Sequence, residues 1–134
     1  MIAKNNIFNI RANGNSWVGM TGARKGFVEF DTREHCIRAW LMLMRTYRKR
    51  YGCTSIGAIV ERYAPPTENN TEHYIRFCEQ KTGCRRRLQL TFNYDYTSLG
   101  AAMAKMETGT DILPSEIREA MNKFDIYPAG CGTF

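Results

Sequence analysis

Apolar residues recur three or four positions apart in several stretches of the chain, which is the spacing that lines one face of an α-helix. Ile37, Trp40, Leu41, Met44, Tyr47 and Tyr51 form the longest such stripe; Asp31 stands three residues before Glu34 in a capping-box-like start, and Gly52 ends the run. Ile56, Ile59, Val60 and Tyr63 form a shorter stripe, with Thr54 as its expected cap. Ala64-Pro65-Pro66 stops it, because proline disfavours helix in the residue before it. Tyr74, Ile75 and Cys78 follow an expected cap at Thr71 and run to Gly83. Leu99, Met103 and Met106 follow Thr97 and Ser98 and are broken at Thr108-Gly109. A last helix is predicted from Pro114, with Ile117, Ala120, Met121 and Phe124 inward.

A period of two governs two other segments, Ile7-Phe8-Asn9-Ile10-Arg11 and Gly26-Phe27-Val28-Glu29-Phe30, which read as short strands around a glycine-rich loop. The segment from Leu88 to Tyr94 fits either a strand or an extended connector. The predicted fold is mainly α with a small antiparallel β element, an α+β class. With 134 residues, no internal repeat and no linker, one domain over residues 1–134 is expected.

Composition narrows the function classes. Apolar residues make up 43% and charged residues 24%, which excludes a disordered chain, and no apolar run approaches the roughly 18 to 20 residues that span a bilayer. The opening residues Met1-Ile-Ala-Lys-Asn-Asn6 lack an apolar core, so no secretory signal is expected. A net charge of +6 favours a polyanionic partner. Its excess sits largely in Arg45-Thr-Tyr-Arg48-Lys49-Arg50 and in Arg85-Arg86-Arg87, although such clusters are commonly solvated surface. Cysteines 36, 53, 78, 84 and 131 are odd in number and show no Cys-x2-Cys spacing, and His35 and His73 lie far apart. The reading is reduced thiols, no metal site and no cofactor.

Several separated motifs agree in order with one family. Asn5-Asn6-Ile7-Phe8-Asn9-Ile10-Arg11, then Trp17, then Phe27 to Ala39 resembles the Asn-x-Phe-Gly-Ile-Lys, tryptophan, Phe-Arg-x-Tyr-x-Ser-x-x-Glu-Ser-Ile stretch of glucosaminidase-type peptidoglycan hydrolases. It is also similar to small phage virion-associated muralytic proteins, whose pattern begins Asn-Asn-Pro-x-Asn-Ile-Arg. That pattern later reads Trp-Ala-Pro-Pro-x-Glu-Asn-Asn-Thr, matched here by Tyr63-Ala64-Pro65-Pro66-Thr67-Glu68-Asn69-Asn70-Thr71. In the glucosaminidases the general acid is a glutamate in a Glu-Ser-Gly turn that ends a helix just ahead of the first motif. Here the comparable helix, ending Met106-Glu107-Thr108-Gly109, follows it. The resemblance therefore implies a lysozyme-like fold in circularly permuted order, a peptidoglycan substrate and Glu107 as the acid. The sequence departs from the pattern at Tyr63, Phe8 and Thr108.

The physical case for Glu107 stands beside the resemblance. It follows Met103 by four residues and Met106 by one, so it lies at the margin of the apolar stripe. Partial desolvation there raises a carboxyl pKa, as a general acid requires. An ordinary solvated helix-end glutamate is the competing reading. A two-carboxylate glycosidase needs a second acid, for which Glu29 and Glu68 are candidates, with Asp31 better explained as a cap. A lytic transglycosylase needs one glutamate only, because a hydroxyl of the sugar itself attacks. Sugar rings stack on aromatic faces and their hydroxyls pair with amides, so Trp17, Tyr63, Tyr74, Asn9, Asn69 and Asn70 are candidate substrate-binding residues. Arg11 is a candidate for a stem-peptide carboxylate, and Asn5 and Asn6 read as turn formers.

The preferred expectation is a phage or prophage protein that cleaves peptidoglycan glycan strands, with other virion proteins as further partners. It would reside in the virion, or in the host cytoplasm before delivery to the periplasm and cell wall. The alternative is a non-catalytic virion or host-factor-binding protein that keeps the fold. A nucleic-acid binder has the arginine clusters in its favour but no recognisable motif.

Overall fold

The helical stripes found in the sequence become the framework of the computed structural model, which describes residues 2–132 and residue 134. Among the described residues the elements run β1 (Met20–Arg24), β2 (Phe27–Phe30), α1 (Arg33–Tyr51), α2 (Ile56–Tyr63), α3 (Thr71–Thr82), α4 (Asn93–Thr108) and α5 (Pro114–Phe124). β1 and β2 form a two-stranded antiparallel hairpin with an irregularity between Met20 and Gly22. The architecture is mainly helical with a small antiparallel sheet.

The caps differ by one residue from those expected. Thr32, not Asp31, accepts the His35 amide at the start of α1; Ser55, not Thr54, accepts the Ala58 amide of α2; Asn70, not Thr71, accepts the His73 amide of α3. Each displaced residue has a different bond. Asp31 meets His35 Nδ1 at 2.7 Å, Thr54 bonds Gln89, and Thr71 is buried and donates to the Ala64 carbonyl at 2.7 Å. α4 starts at Asn93, four residues ahead of Thr97. The Asn93 side chain is buried: Nδ2 donates to the Gly130 carbonyl and Oδ1 accepts from the Ala129 amide, so its partners lie 36 and 37 residues away.

The predicted strand over 7–11 is a folded turn segment in which only Arg11 makes an isolated bridge, to Phe27. Ile7, Phe8 and Ile10 are all buried, so the alternation in the sequence does not correspond to two faces. Asn6 holds the segment shut from within: its Nδ2 donates to the Ile10 and Val28 carbonyls and its Oδ1 accepts from the Ile10 amide. Asn5 Nδ2 donates to the carbonyls of Phe30 and Asp31. A buried amide with every polar atom paired is the arrangement that avoids the desolvation penalty.

One hydrophobic core joins these parts. Trp40 lies at its centre, fully buried and stacked on Phe8 with ring centroids 5.0 Å apart. α4 packs chiefly on α3 and α5 and touches α1 where Gly100 lies against the Trp40 ring. Full burial of side chains of this size contributes roughly 1.5 to 3 kcal/mol each, which fixes the end of α4 beside the N-terminal segment.

Candidate active site

Glu107 occupies the last turn of α4, half-buried at the edge of the stripe formed by Leu99 and Met103. Gly109 takes the left-handed conformation at φ 71 and closes the helix with a bond from its N–H to the Lys105 carbonyl. Thr108 Oγ1 donates to the Ile7 carbonyl at 2.9 Å, joining the helix end to the N-terminal segment. Asn9 completes the junction. Its φ of 53 lies in the left-handed region that asparagine tolerates, and this turns the side chain toward α4. Nδ2 donates to the Glu107 main-chain carbonyl at 3.0 Å and to carboxylate Oε1 at 3.3 Å.

Burial pushes the Glu107 carboxyl above the ordinary carboxylic range, and this outweighs the opposing pull of Tyr74, the Asn9 amide and Arg11. Tyr74 is itself buried, and its hydroxyl closes no hydrogen bond of normal geometry among the described residues. Glu107 therefore holds its proton to a higher pH than a surface glutamate does.

The carboxyl opens into a cleft of about 470 Å³. Asn9, Arg11, Asn13 and Trp17 from the N-terminal segment line it, together with Phe27 of β2, Leu43 and Tyr47 of α1, Arg62 and Tyr63 of α2, and Pro65, Glu68 and Asn69 of the following loop. The Tyr63 hydroxyl donates to the Phe8 carbonyl at 2.6 Å, which fixes its ring. Trp17 is half-buried, and its indole N–H pairs with no group among the described residues. Arg11 meets Glu68 at 3.2 Å and lies over the Phe27 ring, an exposed pair worth at most about 1 kcal/mol.

Of the residues singled out in the sequence, Asn9, Arg11, Trp17, Tyr63, Glu68, Asn69 and Glu107 meet in this cleft. Asn70 caps α3, Tyr74 is buried outside the lining, and Glu29 lies in β2 opposite Gly22. Asn13, Leu43, Tyr47 and Arg62 were missed. Tyr47 offered one signal, as a tyrosine on the α1 stripe near the helix end, where the apolar face runs out. The rest depend on elements meeting in space.

All five cysteines are free, and burial pushes the Cys36 and Cys78 thiols up to about 12, which makes them unreactive packing groups. Among the described residues no group of three or more His, Cys, Asp or Glu could hold a metal ion.

The chain is 44% identical over 85 residues to Protein P5 of Pseudoalteromonas phage PM2, a match covering 63% of this chain and 52% of the phage protein. It thus spans about half the length of the curated relative it matches. No protein-family profile matches the chain. The likeness supports a phage origin.

Proposed function

We propose that the chain is a peptidoglycan-cleaving phage or prophage protein of lytic transglycosylase or muramidase type, lysozyme-like in arrangement, with Glu107 as general acid and then base. The observation that carries this reading is a half-buried carboxyl, its pKa raised by burial, facing a cleft whose lining includes Trp17, Tyr63, Asn9 and Asn69. Rings of the glycan would stack on Trp17 and Tyr63, and its hydroxyl and acetamido groups would pair with the two amides.

Protonated Glu107 would give its proton to the glycosidic oxygen between N-acetylmuramic acid and N-acetylglucosamine as the C1–O bond breaks. The resulting carboxylate would then take the proton of the muramyl C6 hydroxyl, whose oxygen closes on C1 as a 1,6-anhydro ring. One carboxyl serves both steps, and no water or cofactor is consumed. Hydrolysis would instead need a second carboxylate to activate water. Glu68 lines the cleft and Glu29 does not, so Glu68 would take that role. No helix among the described residues is long and apolar enough to cross a membrane. Access to the wall would come from carriage in the virion, beside other virion proteins, or from release out of the host cytoplasm.

Digestion of purified sacculi by the parent and by Glu107→Gln tests the reading. Gln keeps size and polarity but cannot cycle a proton, so activity should fall on the order of 10² to 10⁴-fold. Anhydromuramic ends with little effect of Glu68→Gln indicate transglycosylation. Reducing ends with a large Glu68→Gln effect indicate hydrolysis. Sacculi left intact by the parent would refute cleavage and favour a non-catalytic binding protein.

A further inference from the structure

We infer that Arg62 reads the anionic substituent of the muramyl sugar, so that the cleft takes acidic peptidoglycan strands in preference to neutral N-acetylglucosamine polymers. This assignment rests on the glycan-cleaving reading above.

The cleft holds two cations with different surroundings. Arg11 is neutralised by Glu68 at 3.2 Å. Arg62, exposed in the last turn of α2, enters no ion pair among the described residues. It is held instead by ring faces, its guanidinium carbon 3.3 Å from the Tyr51 centroid and 5.5 Å from that of Tyr47. Stacking occupies the flat face of a guanidinium and leaves its N–H edge free. That edge matches a planar carboxylate in a two-point bond.

The chemistry of the ligand supplies the complement. Alternate sugars of peptidoglycan carry a lactyl ether that ends in a carboxylate or in a peptide bearing carboxylates; chitin has the same rings and acetamido groups without it. Stacking on Trp17 and Tyr63 cannot tell the two polymers apart. A fixed, unneutralised cation in the same cleft can.

Trp17 lines the cleft while Trp40, the other tryptophan, is fully buried, so intrinsic fluorescence reports occupancy. Titrations would compare the disaccharide tetrapeptide N-acetylglucosaminyl-N-acetylmuramyl-tetrapeptide with chitobiose. The parent should bind the muropeptide about tenfold more tightly, the difference expected of one partly exposed charge-assisted pair. Added salt should erode that margin. Arg62→Gln should lower muropeptide affinity to the chitobiose level and leave chitobiose binding unchanged, and Arg62→Lys should fall between. Unchanged muropeptide binding in Arg62→Gln, with peptidoglycan still cleaved, would overturn the Arg62 assignment alone. Failure of the parent to bind either sugar or to cut sacculi would overturn both readings.

Discussion

Replacing Asn9 by glycine separates what its side chain does from what its backbone needs. Glycine populates positive φ freely, so the left-handed turn at φ 53 remains and only the amide is lost. Two bonds disappear with it. The 3.0 Å bond to the Glu107 carbonyl caps an otherwise unpaired group at a helix end and is worth about 1 kcal/mol. The 3.3 Å bond to Oε1 is long, at the weak end of the roughly 1.5 to 3 kcal/mol seen for charged partners, and it serves the ionised carboxylate in particular. Asn9→Gly should therefore cost about 1 to 2.5 kcal/mol of stability, the upper figure when the carboxylate is ionised, and move the Glu107 titration further upward. Asn9→Ala loses the same bonds and places a Cβ in the left-handed region, at a further cost of about 1 to 2 kcal/mol. Urea midpoints give the stabilities, and a carbon-13 titration of the glutamate carboxyls, with Glu107→Gln as the assignment control, gives the shift without relying on activity. Equal stability of the Ala and Gly variants, or a Glu107 titration unmoved in Asn9→Gly, would refute this account of the junction.

Other consequences can be measured separately. Because the folded-state pKa of Glu107 lies above its ordinary 4.5, the folded protein binds more protons than the unfolded chain between those values, and stability falls as pH rises through that window; Glu107→Gln should thus be more stable than the parent in urea at pH 7 and lose that advantage at pH 4. A Cβ on Gly100 would meet Ile117 Cδ1 and lie 3.0 Å from Trp40 Cζ3, so Gly100→Ala should cost roughly 1 to 3 kcal/mol despite its better helix propensity, as urea unfolding would report. Arg86 bonds both Glu72 and Glu79 and holds Glu72 down to about 2, so its stabilisation is present above the ordinary 4.5 and lost as pH falls toward 2; Arg86→Gln should flatten the acid limb of the stability profile. The exposed Arg85 and Arg87 should leave stability unchanged when both become Gln and weaken sacculus binding only at low salt, as pull-down at two ionic strengths would reveal.

Much of the helical framework was legible in the sequence, because helix stripes are local: Ile37 to Met44, Ile56 to Val60 and Ile117 to Met121 are buried as their spacing predicts. What escaped has non-local causes. The 7–11 segment alternates in sequence, yet its conformation is set by Asn6 and by left-handed Asn5 and Asn9, whose amide partners include Val28, Phe30 and Glu107. α4 begins at Asn93 without a side-chain cap bond, which no local rule would have found. The cleft shows the same division. Glu107, Trp17 and Tyr63 were named from motif and pattern, whereas Arg62 and Leu43 enter it only because α1 and α2 meet there.

The two ties at the end of α4 span most of the chain: Asn9 to Glu107 is a separation of 98 residues and Ile7 to Thr108 one of 101. A ribosome adding about 5 to 20 residues per second needs several seconds to pass from one partner to the other. Until Glu107 has been added and has met Asn9, the cleft is without that carboxyl. Assembly of the site is thus a late event of synthesis rather than an early one. A nascent chain interrupted short of Glu107 carries every aromatic of the cleft and not its carboxyl, so the burial of Glu107 is a readout of whether the two distant segments have found each other.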